Sequence, residues 1–166
     1  MQFKTSKRIA VKGNFAITIK KNGLLPTDLF SEAEADFIKK NLKSSTGDWL
    51  EINQYERRIF VLEIPEAAEA HILTEKMRKA GATLSKTLNK AKEKNITIDA
   101  GEFTNAVAEG IALSSYQFLR YFSKKNRKEN TLEKVSLVDA TKAQLDILSA
   151  LVKSVCYARA LINTPV

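Results

Sequence analysis

The sequence predicts an α/β domain with a mixed, mostly parallel sheet that is flanked by helices on both faces. From Arg58 onward, apolar strand patterns alternate with helical patterns in the order strand, helix, strand, helix, strand, helix. This alternation is typical of right-handed β-α-β crossovers, which build parallel sheets. A chain of 166 residues is long enough for one hydrophobic core, so we expect residues 1–166 to form a single domain.

The first third of the chain is predicted to be mostly strands. Alternating or continuously apolar segments predict four of them, over residues 8–12, 14–19, 48–55 and 58–64. Gly13 is expected to break the first two, and a tight turn around Glu56 and Arg57 is expected to join the last two. The last strand is apolar throughout its centre, which favours a position covered on both faces, and Pro65 is expected to end it.

One helix is predicted between these pairs of strands. Ser31 is its expected N-cap because Glu34, three residues later, completes a capping box. Gly47 is expected to end the segment. The residues predicted to form the buried face of this helix are Phe37, Ile38 and Leu42.

The second half of the chain is predicted to alternate between helices and short strands. Helical spacing predicts a helix from Thr74, as N-cap, to about Lys94, and another from about Thr141. Short strands are expected over 96–99 and 132–138. The apolar face predicted for the last helix consists of Leu145, Leu148, Val152 and Val155.

The segment 103–122 is predicted to be a central core helix. Its apolar residues at helical spacing are Val107, Ile111, Phe118 and Phe122, with the small residues Gly110 and Ser114 between them. Glycine inside a helix costs about 1 kcal/mol relative to alanine, so Gly110 needs a structural reason. We expect another element to approach the helix closely there. The basic residues 123–128 are expected to form a solvated turn after the helix.

The composition is typical of a globular protein with a basic surface. With 27 basic and 19 acidic residues, the formal charge is +8, which raises the question of a nucleic-acid partner. The lysines are spread along the chain and aromatic residues are not interleaved with them, so the sequence argues against that partner. No apolar run is long enough to cross a membrane. Cys156 is the only cysteine, so a reduced, cytoplasmic location is the simplest interpretation.

No catalytic, cofactor-binding or metal-ligating residue is predicted. His71 has no second histidine or cysteine nearby and is interpreted as an exposed loop residue, and Cys156 as a buried structural thiol. The glycine-rich phosphate-binding motifs are absent. Carboxylates occur in pairs, but in helix starts or polar turns where acids are expected anyway; these pairs are Glu32/Glu34, Glu66/Glu69 and Glu129/Glu133.

Five segments resemble one protein family in the same order. They are LTEKMRKAGA (73–82), IDAG (98–101), AVAEGIALSSYQFLRY (106–121), LEKV (132–135) and ARALINTP (158–165). Together they are similar to the N-terminal domain of the leucyl aminopeptidase (cytosol aminopeptidase) family. Residues 63–66 depart from the family pattern, because they read Glu-Ile-Pro-Glu where members often have a Gly-Leu-Gly turn.

The resemblance implies a macro-domain-like, three-layer fold and a function in a larger enzyme. In that family a C-terminal domain carries two divalent metals, zinc or manganese, and removes N-terminal residues from peptides. The resemblance therefore implies that this chain is a piece of a longer protein, and that it supports assembly and active-site access but is inactive alone. Its implied partners are its own catalytic domain and the other subunits of a homo-hexamer.

Two other functions stay open at this stage. A stand-alone macro-like module could bind a nucleotide-type ligand or nucleic acid, although the acidic, glycine-free residues 63–66 argue against phosphate. A scaffold without a ligand is equally compatible with the pattern.

Overall fold

The computed structural model describes residues 1–21, 23–42, 48–64 and 69–164. The strands in these ranges are β1 (Gln2–Ser6), β2 (Phe15–Ile19), β3 (Leu50–Asn53), β4 (Arg58–Glu63), β5 (Asn95–Asp99) and β6 (Lys134–Val138). The helices are α1 (Glu32–Leu42), α2 (Ala70–Lys90), α3 (Thr104–Ser114) and α4 (Lys142–Asn163), and a 3-10 turn (Gly101–Phe103) precedes α3.

The six strands form one mixed sheet in the order β1-β6-β5-β2-β4-β3. All neighbouring strands run parallel except β3, which pairs antiparallel with β4. The β3–β4 connection is the tight turn expected from the sequence, and the Gln54 amide donates to the Arg57 carbonyl at 2.9 Å. The predicted α/β class with a mostly parallel sheet is confirmed.

Strand β4 lies inside the sheet and is covered on both faces. Phe60 and Leu62 point into a core shared with α2, α3 and α4, whereas Ile59 and Val61 point into a second core shared with α1. A strand buried on both sides has no polar face, which explains why its sequence is apolar without alternation. The prediction of helices on both faces of the sheet is confirmed.

The sequence prediction of a strand over 8–12 is wrong. The first strand is β1, whose residues pair in parallel with β6 from Gln2 opposite Lys134 to Ser6 opposite Val138. Residues 8–12 belong to the connection from β1 to β2, where Ile9 is buried against the α1 side of the sheet. Strand β1 is an edge strand with mostly exposed residues, so its sequence carries little of the apolar signal by which strands are recognised.

The start of α1 after its predicted N-cap Ser31 and the start of α4 near the predicted Thr141 agree with the structure. The Ser31 amide donates to Glu34 Oε2 at 2.7 Å, and α1 follows. At α4 the Gln144 amide donates to Thr141 Oγ1 at 3.2 Å. Of the predicted buried face of α1, Ile38 and Leu42 are buried, but the prediction for Phe37 is wrong because its side chain is 45% exposed. The predicted stops at Gly47 and Pro65 lie outside the described residues.

Helix α2 begins one turn earlier than predicted and ends earlier as well. Its first residue is Ala70, and Thr74 lies inside the helix, where its hydroxyl donates to the Ala70 carbonyl at 2.9 Å. The helix ends at Lys90 instead of continuing to Lys94. A hydroxyl that bonds back four residues within a helix looks the same in the sequence as an N-cap hydroxyl, which explains the error.

Helix α3 is much shorter than the predicted helix over 103–122. It ends at Ser114, and the hydroxyls of Ser114 and Ser115 both donate to the Ile111 carbonyl, at 3.0 and 2.7 Å. Val107 and Ile111 are buried as predicted, but Phe122 is 56% exposed and lies in a loop. Serine side chains that bond to preceding carbonyls compete with helix continuation.

The close approach expected at Gly110 is confirmed, and the neighbour is α2. A Cβ placed on Gly110 would lie 1.9 Å from the Arg78 carbonyl oxygen. A Cβ placed on Gly81 of α2 would lie 2.1 Å from the Val107 carbonyl oxygen. The two glycines therefore allow the backbones of α2 and α3 to touch from both sides.

Candidate functional site

The residues considered for chemistry in the sequence do not come together. His71 lies in the first turn of α2, where its exposed ring is 3.2 Å from the Glu69 carboxylate. Cys156 is half-buried on α4, so its prediction as a buried thiol is wrong. Glu129 pairs with Arg127 at 2.6 Å.

The amino end of the sheet carries a buried ion pair. Glu34 accepts hydrogen bonds from Arg57 Nη2 at 2.7 and 2.9 Å and from Gln54 Nε2 at 2.7 Å. Burial raises the pKa of Glu34, but hydrogen bonds from Ser31 and Arg57 outweigh it, so this pKa lies below its ordinary value. Arg57 is further held by its hydrogen bond to the Val11 carbonyl at 2.6 Å. These partners satisfy both charges, so the pair fixes α1 to the β3–β4 turn.

A second polar cluster lies beside it and lines a crevice of about 530 Å³. The Arg58 guanidinium pairs with Glu51 and, at 3.0 Å, with Glu93. Asn14 bridges the same groups, because its Nδ2 donates to Glu93 at 2.7 Å and its Oδ1 accepts from the Arg58 amide at 2.8 Å. Burial lowers the pKa of Arg58, but the hydrogen bonds that it donates to both carboxylates outweigh that and raise the pKa overall. The cluster ties the starts of β2 and β4 to the residues before β5.

The carboxyl end of the sheet is where open α/β sheets usually bind ligands. A crevice of about 410 Å³ lies there, after β2 and β5. Gly101, which follows β5, has a φ of +53°. Because it is a glycine, no side chain covers the rim of the crevice at this position. However, the ionisable residues of the lining are Lys20, Asp99 and Glu102. Two carboxylates against one lysine disfavour a phosphate group, in agreement with the sequence argument against a nucleotide.

Helix α4 presents the largest run of exposed apolar side chains on any described helix. Leu148 is buried on one face of α4, where Leu145 and Val152 pack against the core. On an adjoining face, apolar side chains remain exposed; they are Ile147, Leu151, Tyr157, Leu161 and Ile162. At about 100° per residue these five fall within an arc of about 140°, and we call them the α4 stripe. Apolar side chains that are exposed together on one helix face are candidates for an interaction surface.

These features define the class of protein: an α/β domain with partnered charge clusters at one sheet end and an exposed apolar stripe on its last helix. Residues 66–125 match the model of the cytosol aminopeptidase family, N-terminal domain. This match confirms, over residues 66–125, the resemblance expected from the sequence.

The fold is similar to that of a solved leucine aminopeptidase. A mutant of the tomato enzyme superposes with a TM-score of 0.72 at 16% sequence identity. The match covers 99% of this chain and 38% of that chain. At this identity the likeness concerns the fold alone, and the chain spans well under half of the length of the tomato protein.

The sequence analysis does not predict two features of the surface. The α4 stripe is one of them, because the sequence analysis assigns only one apolar face to α4 and leaves the residues of the stripe unassigned. The exposed aromatic residues after α3 were missed because residues 115–122 were assigned to a helix. In both cases the apolar pattern was visible, but the sequence alone could not tell buried from exposed positions.

Proposed function

We propose that this chain is the N-terminal, non-catalytic domain of a dimetal leucyl aminopeptidase, and that residues 1–166 form that one domain. The parent protein releases N-terminal amino acids from peptides in the cytoplasm. This domain contributes to its assembly and to access to its active site. The observation that carries the proposal is the family match over residues 66–125, in a chain whose fold covers 38% of a leucine aminopeptidase.

The described residues do not fit the metal centre that the family implies. Two-metal hydrolases use carboxylate and other side chains to hold two ions about 4 Å apart. No group of three or more His, Cys, Asp or Glu side chains in residues 1–21, 23–42, 48–64 and 69–164 is arranged to hold a metal ion. We therefore assign the metals, and the hydrolytic step, to the catalytic domain of the parent and derive no step from this chain.

The α4 stripe supports the role in assembly. In isolation it leaves Ile162 83% exposed and Leu161 and Tyr157 more than half exposed. Burial of apolar surface stabilises a contact by about 25 cal/mol per Å², so a helix face of this kind is stabilising once it is covered. In the proposed parent, the catalytic domain is the occupant, because α4 is the last element before that domain in the family order.

The membrane is not part of the proposal. Within the described ranges, no helix is both long and apolar enough to span a bilayer.

The first test is the coding sequence that follows residue 166. The proposal expects a catalytic domain of about 300 residues with lysine, aspartate and glutamate metal ligands. The full-length product, purified with Mn²⁺ or Zn²⁺, is expected to hydrolyse leucine p-nitroanilide. A gene that encodes no such domain would refute the proposal.

A second test uses the stripe itself. In the full-length protein, Leu161→Gln with Ile162→Gln is expected to reduce hexamer content and activity together, as measured by light scattering and by hydrolysis rate. Lys39→Gln with Lys40→Gln, on the exposed side of α1, is the matched control and should change neither. Equal effects of both double variants would contradict an assembly role for α4.

A further inference from the structure

The loop that joins α3 to β6 has a fixed base. Gln117 Nε2 donates to the Lys128 carbonyl at 2.9 Å, and its Oε1 accepts from the Asn130 amide at 2.9 Å. Asn130 Nδ2 in turn donates to the Ser115 carbonyl at 2.8 Å. Asn89 of α2 accepts from the Thr131 amide at 2.8 Å. These bonds close the two ends of residues 116–130 on each other, as in a compact Ω-loop.

This loop is strongly basic and solvent-exposed. Between residues 116 and 130 it has five basic residues and one carboxylate, Glu129. Every residue from 121 to 129 is exposed. Glu129 is paired with Arg127, so the other four cations face solvent as a group without a neutralising acid within the loop; they are Arg120, Lys124, Lys125 and Lys128.

Aromatic rings lie directly beside these cations. Tyr121 and Phe122 are 59% and 56% exposed, although aromatic rings of this size usually find cover. The Arg120 guanidinium lies 5.9 Å from the centroid of the Tyr121 ring, and Phe118 packs edge-on against the same ring at 5.6 Å. Tyr121 is therefore held from two sides and exposes part of its ring.

The aromatic rings and the lysine side chains lie on two successive turns of the loop. The first turn, closed by the Phe122 amide and the Leu119 carbonyl at 3.2 Å, carries the rings. The second, closed by the Asn126 amide and the Ser123 carbonyl at 3.0 Å, carries Lys124 and Lys125. A single-stranded nucleic acid presents base faces and phosphates side by side in the same way, and proteins bind it with aromatic rings next to cationic side chains.

We propose that residues 116–130 form a binding site for single-stranded nucleic acid, in which Tyr121 and Phe122 stack on bases and the four free cations contact phosphates. Duplex DNA hides its base faces, so it can use only the cations. An anionic membrane is the competing occupant, and the vesicle measurement below distinguishes it from a nucleic acid. The site is independent of any aminopeptidase activity.

The structure removes one premise of the sequence argument against nucleic acid. That argument held that aromatic residues are not interleaved with the basic ones. In residues 116–128 they are interleaved, and Tyr121 and Phe122 are exposed next to the cations because α3 ends at Ser114. The spread of the remaining lysines is unchanged, which confines the proposal to this loop.

The test is fluorescence anisotropy of the 166-residue chain with a labelled 20-nucleotide oligothymidylate. Four phosphate contacts predict that the affinity falls about 50-fold between 50 and 200 mM salt. A 20-base-pair duplex is expected to bind at least about tenfold more weakly despite its higher charge density, since it offers no unstacked bases. Inorganic polyphosphate should compete poorly, because it carries charge without rings.

Variants separate stacking from charge. Tyr121→Ala and Phe122→Ala are each expected to weaken binding about tenfold. Lys124→Gln with Lys125→Gln and Lys128→Gln should lower the slope of log affinity against log salt by about 2. The matched controls are Tyr55→Ala, a fully exposed tyrosine of the β3–β4 turn, and Lys12→Gln with Lys39→Gln and Lys40→Gln. Neither control should affect binding beyond a small change from overall charge.

Folding does not confound these variants, because the replaced side chains are exposed and melting curves report any loss. Phe122→Trp adds a direct readout: the oligonucleotide should quench its fluorescence while affinity is kept. The proposal is overturned by absence of binding, by equal affinity for the duplex, by equal loss in loop and control variants, or by unquenched Trp fluorescence. Preferential binding to phosphatidylserine vesicles that the oligonucleotide does not displace would likewise overturn it, in favour of a membrane.

Discussion

At the scale of single residues, Gly81 and Gly110 decide how closely α2 and α3 pack. Each faces a carbonyl of the other helix at a distance that no Cβ could occupy. Arg78, whose carbonyl meets Gly110, also joins the helices through its side chain, because its Nε donates to Glu109 at 2.9 Å. Close backbone approach and an ion pair thus act on the same pair of turns. The sequence pointed to one of the two glycines, and its partner is apparent only in the folded chain.

Gly110→Ala is therefore expected to destabilise the protein strongly. The added methyl group would sit 1.9 Å from a backbone oxygen, so the helices must separate, at a cost of about 3 kcal/mol in unfolding free energy. Urea denaturation followed by circular dichroism measures the change. Gly13→Ala is the control, since its nearest contact would be an ordinary 3.5 Å. Equal stability of the two variants would refute the close contact.

The ion pair of Glu34 and Arg57 leads to a prediction of how the stability of the fold depends on pH. The folded-state pKa of Glu34 lies below its unfolded value, so its stabilisation is fully present above about pH 4.3 and is lost as the pH falls through the folded pKa. Glu34→Gln leaves a buried guanidinium without its carboxylate and is expected to cost about 3 kcal/mol at pH 7.

The pH series makes that prediction specific. The stability difference between wild type and Glu34→Gln should shrink as the pH falls through the folded-state pKa of Glu34, which lies below its ordinary value. Glu32→Gln, on an exposed residue of the same helix, should change stability by less than about 0.5 kcal/mol at any pH. A difference that stays unchanged throughout the acid titration would show that the charge of Glu34 is not responsible.

At the scale of elements, α4 has two apolar faces with different roles. Leu148 is 6% exposed and belongs to the core, whereas Leu161 and Ile162 belong to the α4 stripe. Leu148→Ala is expected to cost about 3 kcal/mol, because it leaves a cavity. Leu161→Gln with Ile162→Gln should change the stability of the 166-residue chain by less than about 0.5 kcal/mol. Thermal unfolding compares the two, and a large loss in the double variant would mean that the stripe is already covered.

The start of α4 and the end of α3 show what the local sequence can predict and what it cannot. The start of α4 was predictable because its capping residues lie three positions apart. The end of α3 was not, because the apolar spacing continues through Phe118 to Phe122 while the chain turns away at Ser115. A contact between residues far apart in the sequence contributes to this turn, because Ser85 of α2 hydrogen-bonds Ser115 at 2.9 Å.

At the scale of the whole molecule, the chain alone is expected to lack aminopeptidase activity. With 1 mM Mn²⁺ or Zn²⁺, hydrolysis of leucine p-nitroanilide should stay at the buffer rate. Neither these ions nor EDTA should shift the melting temperature, because a metal that binds the folded state would raise it by mass action. A metal-dependent rise of several degrees, or turnover that EDTA abolishes, would contradict the proposed assignment of the metals to another domain.

The sequence by itself determined the class of fold, the family resemblance and the capped start of α1. Those features depend on the alternation of strand and helix patterns, on spacings of three or four residues and on short matching segments. Each of these is recognised in the sequence without knowing which elements are neighbours in the fold. Only the tertiary structure decided that β1 is an edge strand, that Gly81 packs against α3 as Gly110 packs against α2, and that α3 ends at Ser114. It also decided that the α4 stripe and the basic loop after α3 face solvent. The reason is physical: burial and close approach are properties of pairs of elements far apart in the chain, whereas helical and strand periodicity is a property of each element alone.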